Sequence, residues 1–378
     1  MTLFALVALL LAAAGPVSSA KPRDGKAIFR FDTFGDEQFW TDMLRLHEVI
    51  QTSVSPVTAL GVGLKVDADV LPADFLATHD LNDPATTVEL IRLDAVVGIV
   101  GKVSDGKLKS IGITCAICHS TVNNSVAAGV GSRRDGWANH DLNPGAIIAL
   151  SDALTSAQKA VYNSWGPGKY DARFNLDGIN FPAVIPPAFG LQGVGFETYT
   201  GDGPISYWNN YVAVTQMGGH GSFSDPRLGI DITQNPDLVT PKLPALLEYQ
   251  LSLATPAPPS GSFDPKAARR GKRVFTGSAR CSSCHVAPTY TDVLTGPDPS
   301  VPLLHDPSET GMEPVYASRS ATGRYRTTPL RALWQHAPYF HDGSAPTLEA
   351  VVDHYVQSFG LGLTDQEKAD LVQFLKSL

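Results

Sequence analysis

Apolar residues recur at helical spacing near the end of the chain. Leu348, Val351, Val352 and Tyr355 fall at i, i+3, i+4 and i+7, which predicts a helix with Tyr355 on its buried face and His354 turned to the side. Thr364-Asp-Gln-Glu367 forms a capping box for a final helix that carries Leu371, Phe374, Leu375 and Leu378 on one face. A short basic helix is predicted over Ala267 to Phe275. The segment before it, Ala254 to Pro265, holds four prolines among small polar residues and reads as a linker. At the other end, Met1 to Ala20 is uncharged, apolar from Leu3 to Ala14, and closes on small residues, Val17-Ser-Ser-Ala20. That is the pattern of a cleavable export signal, too short to span a bilayer. No Lys or Arg precedes the apolar run, so a retained membrane anchor is the alternative. No later stretch is long enough to cross a membrane, and the mature protein is expected to be soluble.

With 378 residues the chain has room for about two domains. Its 34 glycines and 28 prolines predict many turns and breaks between short elements. The formal charge of −8, with no basic stripe to follow a phosphate backbone, argues against nucleic acid as a partner. The same charge favours solubility and also encounter with a cationic redox carrier.

All four cysteines fall into two copies of one pattern, Cys115-Ala-Ile-Cys118-His119 and Cys281-Ser-Ser-Cys284-His285. Two thiols three positions apart can add to the two vinyl groups of a porphyrin, and the following His then reaches the iron. Each pattern therefore reads as a covalent c-type haem site. A shared zinc ion would need the pairs close together, and about 160 residues separate them. A redox dithiol would leave the two matching histidines unexplained.

The C-terminal third carries further motifs: Arg326-Thr-Thr-Pro-Leu-Arg331, Ala337-Pro-Tyr-Phe-His-Asp-Gly343 and Thr347-Leu-Glu349. These resemble the C-terminal domain of the bacterial di-haem cytochrome c peroxidases, a superfamily that includes the methylamine-utilisation di-haem enzymes and the rubber oxygenases. The resemblance covers most of residues 100 to 378. It is specific at the C-terminal end and degraded in the first domain. Residues 21 to 100 match nothing assignable, including the run Phe29-Arg-Phe-Asp-Thr-Phe-Gly35.

The resemblance implies that the N-terminal haem meets peroxide beside a distal Glu that precedes a Met. Here the matching stretch is Gly203-Pro-Ile205 and, after a longer gap, Gln216-Met217-Gly218, so an amide stands where the family has its acid. Gln orients a ligand but does not exchange protons at ordinary pH, which puts efficient peroxidase chemistry in doubt. His220 is the candidate replacement proton shuttle, with a surface role as its rival. Met217 either caps the N-terminal iron or packs in the distal wall. The aromatic bridge between the haems maps onto Tyr199, with Trp137, Trp165 and Trp208 as competitors. Calcium at the domain interface maps onto Asn143, His336 and Pro338, although the Asp141-Leu-Asn-Pro-Gly145 turn would use Asn143 anyway. The far-side ligand of the C-terminal iron maps onto Tyr355, with Met312 and His354 as rivals. His341 is implied as a residue of the haem surround.

The expected architecture is mainly α, with two cytochrome c-like haem domains, extensive loops and an N-terminal extension. Its expected parts are a signal peptide at 1–20, the extension plus first haem domain at 21–253, a linker at 254–265 and a C-terminal cytochrome c domain at 266–378. The expected protein is a periplasmic or otherwise exported di-haem oxidoreductase. It acts on peroxide or oxygen at the N-terminal haem and exchanges electrons with a periplasmic protein. The competing readings are a non-catalytic electron carrier and a haem sensor.

Overall fold

The computed structural model describes residues 24–378; the expected signal peptide lies outside the described residues. The described residues are about 40% helix and 12% strand. Among the described residues every sheet has two strands. No described helix is long and apolar enough to cross a membrane.

The extension forms a shell of short helices around the first Cys-x-x-Cys-His. Asp24 caps the helix Gly25–Phe31, which buries Ile28 and Phe29. Next come a π-helical turn, Gln38–Met43, and the helices Leu46–Ser53, Pro56–Gly61 and Pro84–Arg92. The strands Ile99–Ser104 and Lys107–Ile113 then pair as an antiparallel hairpin. Its turn is Asp105-Gly106, with both residues at positive φ, the conformation a two-residue hairpin loop requires. This hairpin delivers the chain directly into Thr114 and Cys115. The buried Asp36 carboxyl accepts the Ile113 amide at 3.1 Å, fixing the strand end just before the motif. Gly98, at φ +81°, lies against the backbone of Ile117, where a Cβ would collide.

Two main hydrophobic clusters form. The first draws on residues from Ile28 to Leu246 and the second on residues from Val274 to Leu375. Residues 253–264, between them, contain neither helix nor strand. The second cluster is built on the helices Pro265–Thr276, Leu348–Phe359 and Asp365–Lys376, the three elements legible in the sequence. The first and last of these cross at Gly271, where a Cβ would run into the carbonyl oxygen of Asp370. Arg270 holds the same Asp370 through two hydrogen bonds, at 2.6 and 2.7 Å. The Phe275 and Phe374 rings meet 5.1 Å apart below the crossing. A small third cluster joins Ala183 to Tyr316, Ala317 and Tyr325, tying the first part of the chain to the last.

Candidate haem sites and the cavity between them

One cavity of about 690 Å³ is walled by both Cys-x-x-Cys-His motifs. The residues present fit two haems. His119 sits at the end of the short helix Ala116–His119, and its Nδ1 donates to the Pro186 carbonyl at 3.0 Å. His285 follows the turn Cys281–Ser283, and its Nδ1 donates to the Tyr290 carbonyl, also at 3.0 Å. In each ring that bond fixes the tautomer and leaves Nε2 as the free lone pair, the arrangement of a proximal metal-binding imidazole. Burial keeps both rings neutral, pulling His119 down to about 4 and lowering His285. Burial also raises the thiols, to about 12 for Cys115 and Cys118 and about 11 for Cys281.

Gln216, Met217, Tyr170, Trp208 and Trp40 all line this cavity. Gln216 Oε1 accepts from the Tyr170 hydroxyl at 3.2 Å, and its Nε2 donates to Thr215 Oγ1 at 2.9 Å. Desolvation holds the Tyr170 phenol well above its ordinary value, so it is protonated. The extension clamps the segment from behind: Trp40 Nε1 donates to the Met217 carbonyl at 2.9 Å and Gln38 Nε2 to the Gly218 carbonyl at 2.8 Å. The sequence offers His220 as a proton shuttle, with a surface role as its rival. It is not part of the cavity wall; its amide donates to the Phe34 carbonyl and its Cβ lies beside Gly35. The chain turns away after Gly218 and Gly219, carrying His220 into the extension.

Near the second motif, Leu348, Val351, Val352 and Tyr355 present one helical face to the cavity. Burial next to Cys281 and Cys284 pushes the Tyr355 phenol up to about 12. His354 faces elsewhere and donates from Nε2 to the Thr310 carbonyl at 2.9 Å. Met312 lines the cavity and packs against the Tyr316 and Tyr325 cluster. Cys284, Asp292 and His305 are close enough to share a cation, but the sulfur belongs to the haem motif. His305 is raised to about 9 chiefly by Asp292, which accepts from it at 3.0 Å.

Tyr199 lines the cavity, with Tyr316 and His341 from the far end of the chain around it. Of its competitors, Trp208 lines the cavity, Trp137 packs on Trp334 at 5.6 Å, and Trp165 is tied to Asn180 Oδ1 at 2.9 Å away from it. Asn143 Oδ1 accepts from the Ala146 amide and caps the helix Pro144–Ala149. His336 is half-buried, its buried Nε2 has no hydrogen-bond partner, and desolvation lowers the ring to about 3. Sequence reasoning missed Tyr170, Tyr316, Tyr325 and Trp40; none belongs to a local motif that marks a site.

Residues 323–356 match the family described as RoxA-like, cytochrome c-like. The chain is 35% identical over 129 residues to the methylamine utilization protein MauG of Methylorubrum extorquens, covering 29% of this chain and 34% of that protein. It is 34% identical over 140 residues to the cytochrome-c peroxidase IdrP2 of Denitromonas iodatirespirans, covering 29% of this chain and 38% of that protein. The chain thus spans little more than a third of the length of these curated relatives. A solved MauG-like protein associated with microbial copper homeostasis superposes with a TM-score of 0.29 at 23% identity, over 36% of this chain and 56% of that one. On the sequence matches, and on the motifs that carry them, part of the chain is similar to members of the di-haem cytochrome c peroxidase superfamily.

Proposed function

We propose that the chain is an exported di-haem c-type cytochrome acting as an oxidoreductase, with peroxide or oxygen reduced at the N-terminal haem and electrons relayed by the C-terminal one. The observation that carries this reading is the single cavity walled by both Cys-x-x-Cys-His motifs. A bound haem supplies an iron that exchanges single electrons and, where an axial position is open, takes a small oxidant. His119 and His285 would hold the irons through Nε2, and the cysteine pairs would anchor the porphyrins as thioethers. Tyr170 and Gln216 orient a small ligand through a hydroxyl and an amide, neither of which is a strong acid. Tyr199 offers an aromatic path along the cavity wall. The uncharged residues 1–20 support export, and the separate core clusters on either side of 253–264 support division into two haem domains. The net charge of −8 suits a cationic electron-exchange protein as the partner.

One observation favours a non-catalytic electron carrier instead: Met217 lines the same wall as Gln216, and a thioether on the N-terminal iron would close the position an oxidant needs. The ferric absorption spectrum, taken with and without peroxide, separates the two. High-spin bands from one haem that change on mixing support the oxidoreductase. Two low-spin haems indifferent to peroxide overturn it in favour of the carrier.

A further inference from the structure

Tyr199, Tyr316, Tyr325 and His341 pack together on the cavity wall between the two motifs. The His341 ring lies 4.8 Å from Tyr325, 5.3 Å from Tyr316 and 6.1 Å from Tyr199, centroid to centroid. We propose that Tyr325 is a redox-active residue that holds an oxidising equivalent in this cavity, giving one electron to the oxidised haem pair and its phenolic proton to His341. The proposal rests on the di-haem oxidoreductase reading above.

A phenol is hard to oxidise unless its proton has somewhere to go, and that requirement selects among the tyrosines. The Tyr199 hydroxyl donates to the Val184 carbonyl at 3.1 Å, and a carbonyl oxygen is too weak a base to take a proton. The Tyr325 hydroxyl donates to the Glu313 carbonyl at 2.7 Å in the resting structure, but unlike that of Tyr199 its oxygen also lies 3.0 Å from a ring nitrogen, His341 Nε2, toward which the proton turns when the electron leaves. An imidazole is the base of that pair, and burial keeps it neutral and so able to accept. Tyr207 and Tyr249 donate to the carboxylates of Asp225 and Asp135, but neither residue lines the cavity. Both members of the Tyr325–His341 pair are almost wholly buried, which slows quenching of a radical by solvent species.

The step balances. Reduction of one peroxide to two waters consumes two electrons and two protons. Tyr325 supplies one electron and the external one-electron donor protein the other, while the two protons come from solvent. The phenolic proton waits on His341 Nε2, leaving a neutral phenoxyl beside an imidazolium. A second electron from the donor then restores the phenol and returns that proton.

The test is freeze-quench electron paramagnetic resonance of the two-haem protein mixed with peroxide. A radical signal is expected that narrows in protein grown on ring-deuterated tyrosine. It should fall at least fivefold in Tyr325→Phe, a change that removes only the hydroxyl, and also in His341→Gln. A signal undiminished in Tyr325→Phe, or one that responds to deuterated tryptophan instead, overturns the proposal. So does the absence of a radical in protein whose haem bands respond to peroxide. Haem bands that ignore peroxide refute the functional reading instead, and the cluster is then oxidised with photogenerated ruthenium(III). A radical lost in Tyr325→Phe upholds the proposal under that oxidant, and none overturns it.

Discussion

His354 and Tyr355 are neighbours on one helix yet serve different sides of it: His354 Nε2 donates to the Thr310 carbonyl at 2.9 Å, while Tyr355 lines the cavity beside Cys281 and Cys284. Consecutive helical residues point about 100° apart, so one of the two can face the iron. The phenol is protonated in its buried setting, and ligation would replace that proton with the metal cation.

The first prediction follows from that geometry. Tyr355→Phe should change the spin state of the C-terminal haem, whereas His354→Gln should leave its spectrum as it was. An anionic oxygen ligand favours ferric iron, so the wild-type potential should lie below that of a Met-ligated haem. Resonance Raman and redox titration read both properties. An unchanged Tyr355→Phe spectrum, with the low-spin signal lost in Met312→Leu, moves the ligand to Met312.

A second prediction concerns Asp36. Burial, reinforced by the neighbouring Glu37 and Asp32 carboxylates, raises its carboxyl to about 9 against the backbone bond to Ile113 that lowers it. The folded state thus keeps a proton that the unfolded chain releases near pH 4. Its contribution to stability is complete below the unfolded value and is lost as pH rises toward 9. Asp36→Asn stays neutral and retains an oxygen for the Ile113 amide. Its melting temperature should fall less than that of the wild type between pH 6 and pH 8.5. Parallel curves for the two proteins would show that Asp36 is already ionised in the folded state.

At Gly271 the expectation is steric. A methyl group there meets the Asp370 carbonyl where the two C-terminal helices cross, so Gly271→Ala should cost about 1–3 kcal/mol through forced separation of the helices. Chemical denaturation followed by helix circular dichroism measures this. Gly271 lies within a helix without positive φ, so backbone strain does not enter, and a loss near zero would show that the crossing accommodates a methyl group.

How much of this was legible in the sequence depended on whether the signal was local. The haem motifs, the three C-terminal helices and the inward face of Tyr355 all follow from spacing within a few turns. The wall of the cavity does not. Trp40 reaches Met217 from a π-helical turn almost the length of a domain away in sequence, and Tyr199, Tyr316 and Tyr325 come together only when the chain closes on itself. His220 followed Gln216 closely enough to suggest a shared site, yet two glycines take the chain off the cavity before it. Asn143 was doubly readable: the Asn-Pro-Gly order that mapped onto a calcium ligand is also an N-cap followed by Pro at the first helical position, and the structure uses it as a cap.

The last prediction is that peroxide turnover is weak and that Gln216 is the reason. Acid–base assistance from a positioned side chain is worth about 10²–10⁴ in rate, and an amide supplies none of it. The structure places Gln216 on the cavity wall, held from one side by the Tyr170 hydroxyl and from behind by Trp40 through Met217. A carboxylate at this position keeps the acceptor that Tyr170 needs, so Gln216→Glu should raise the peroxide rate by at least about tenfold with the wall intact. Stopped-flow mixing of the reduced protein with peroxide gives that rate directly. Fast wild-type turnover, or no gain in the Glu variant while the N-terminal haem is five-coordinate, would show that the proton comes from another group. With His220 off the cavity wall, that group would be the Tyr170 hydroxyl, and Gln216→Glu/Tyr170→Phe compared with each single change would then expose it.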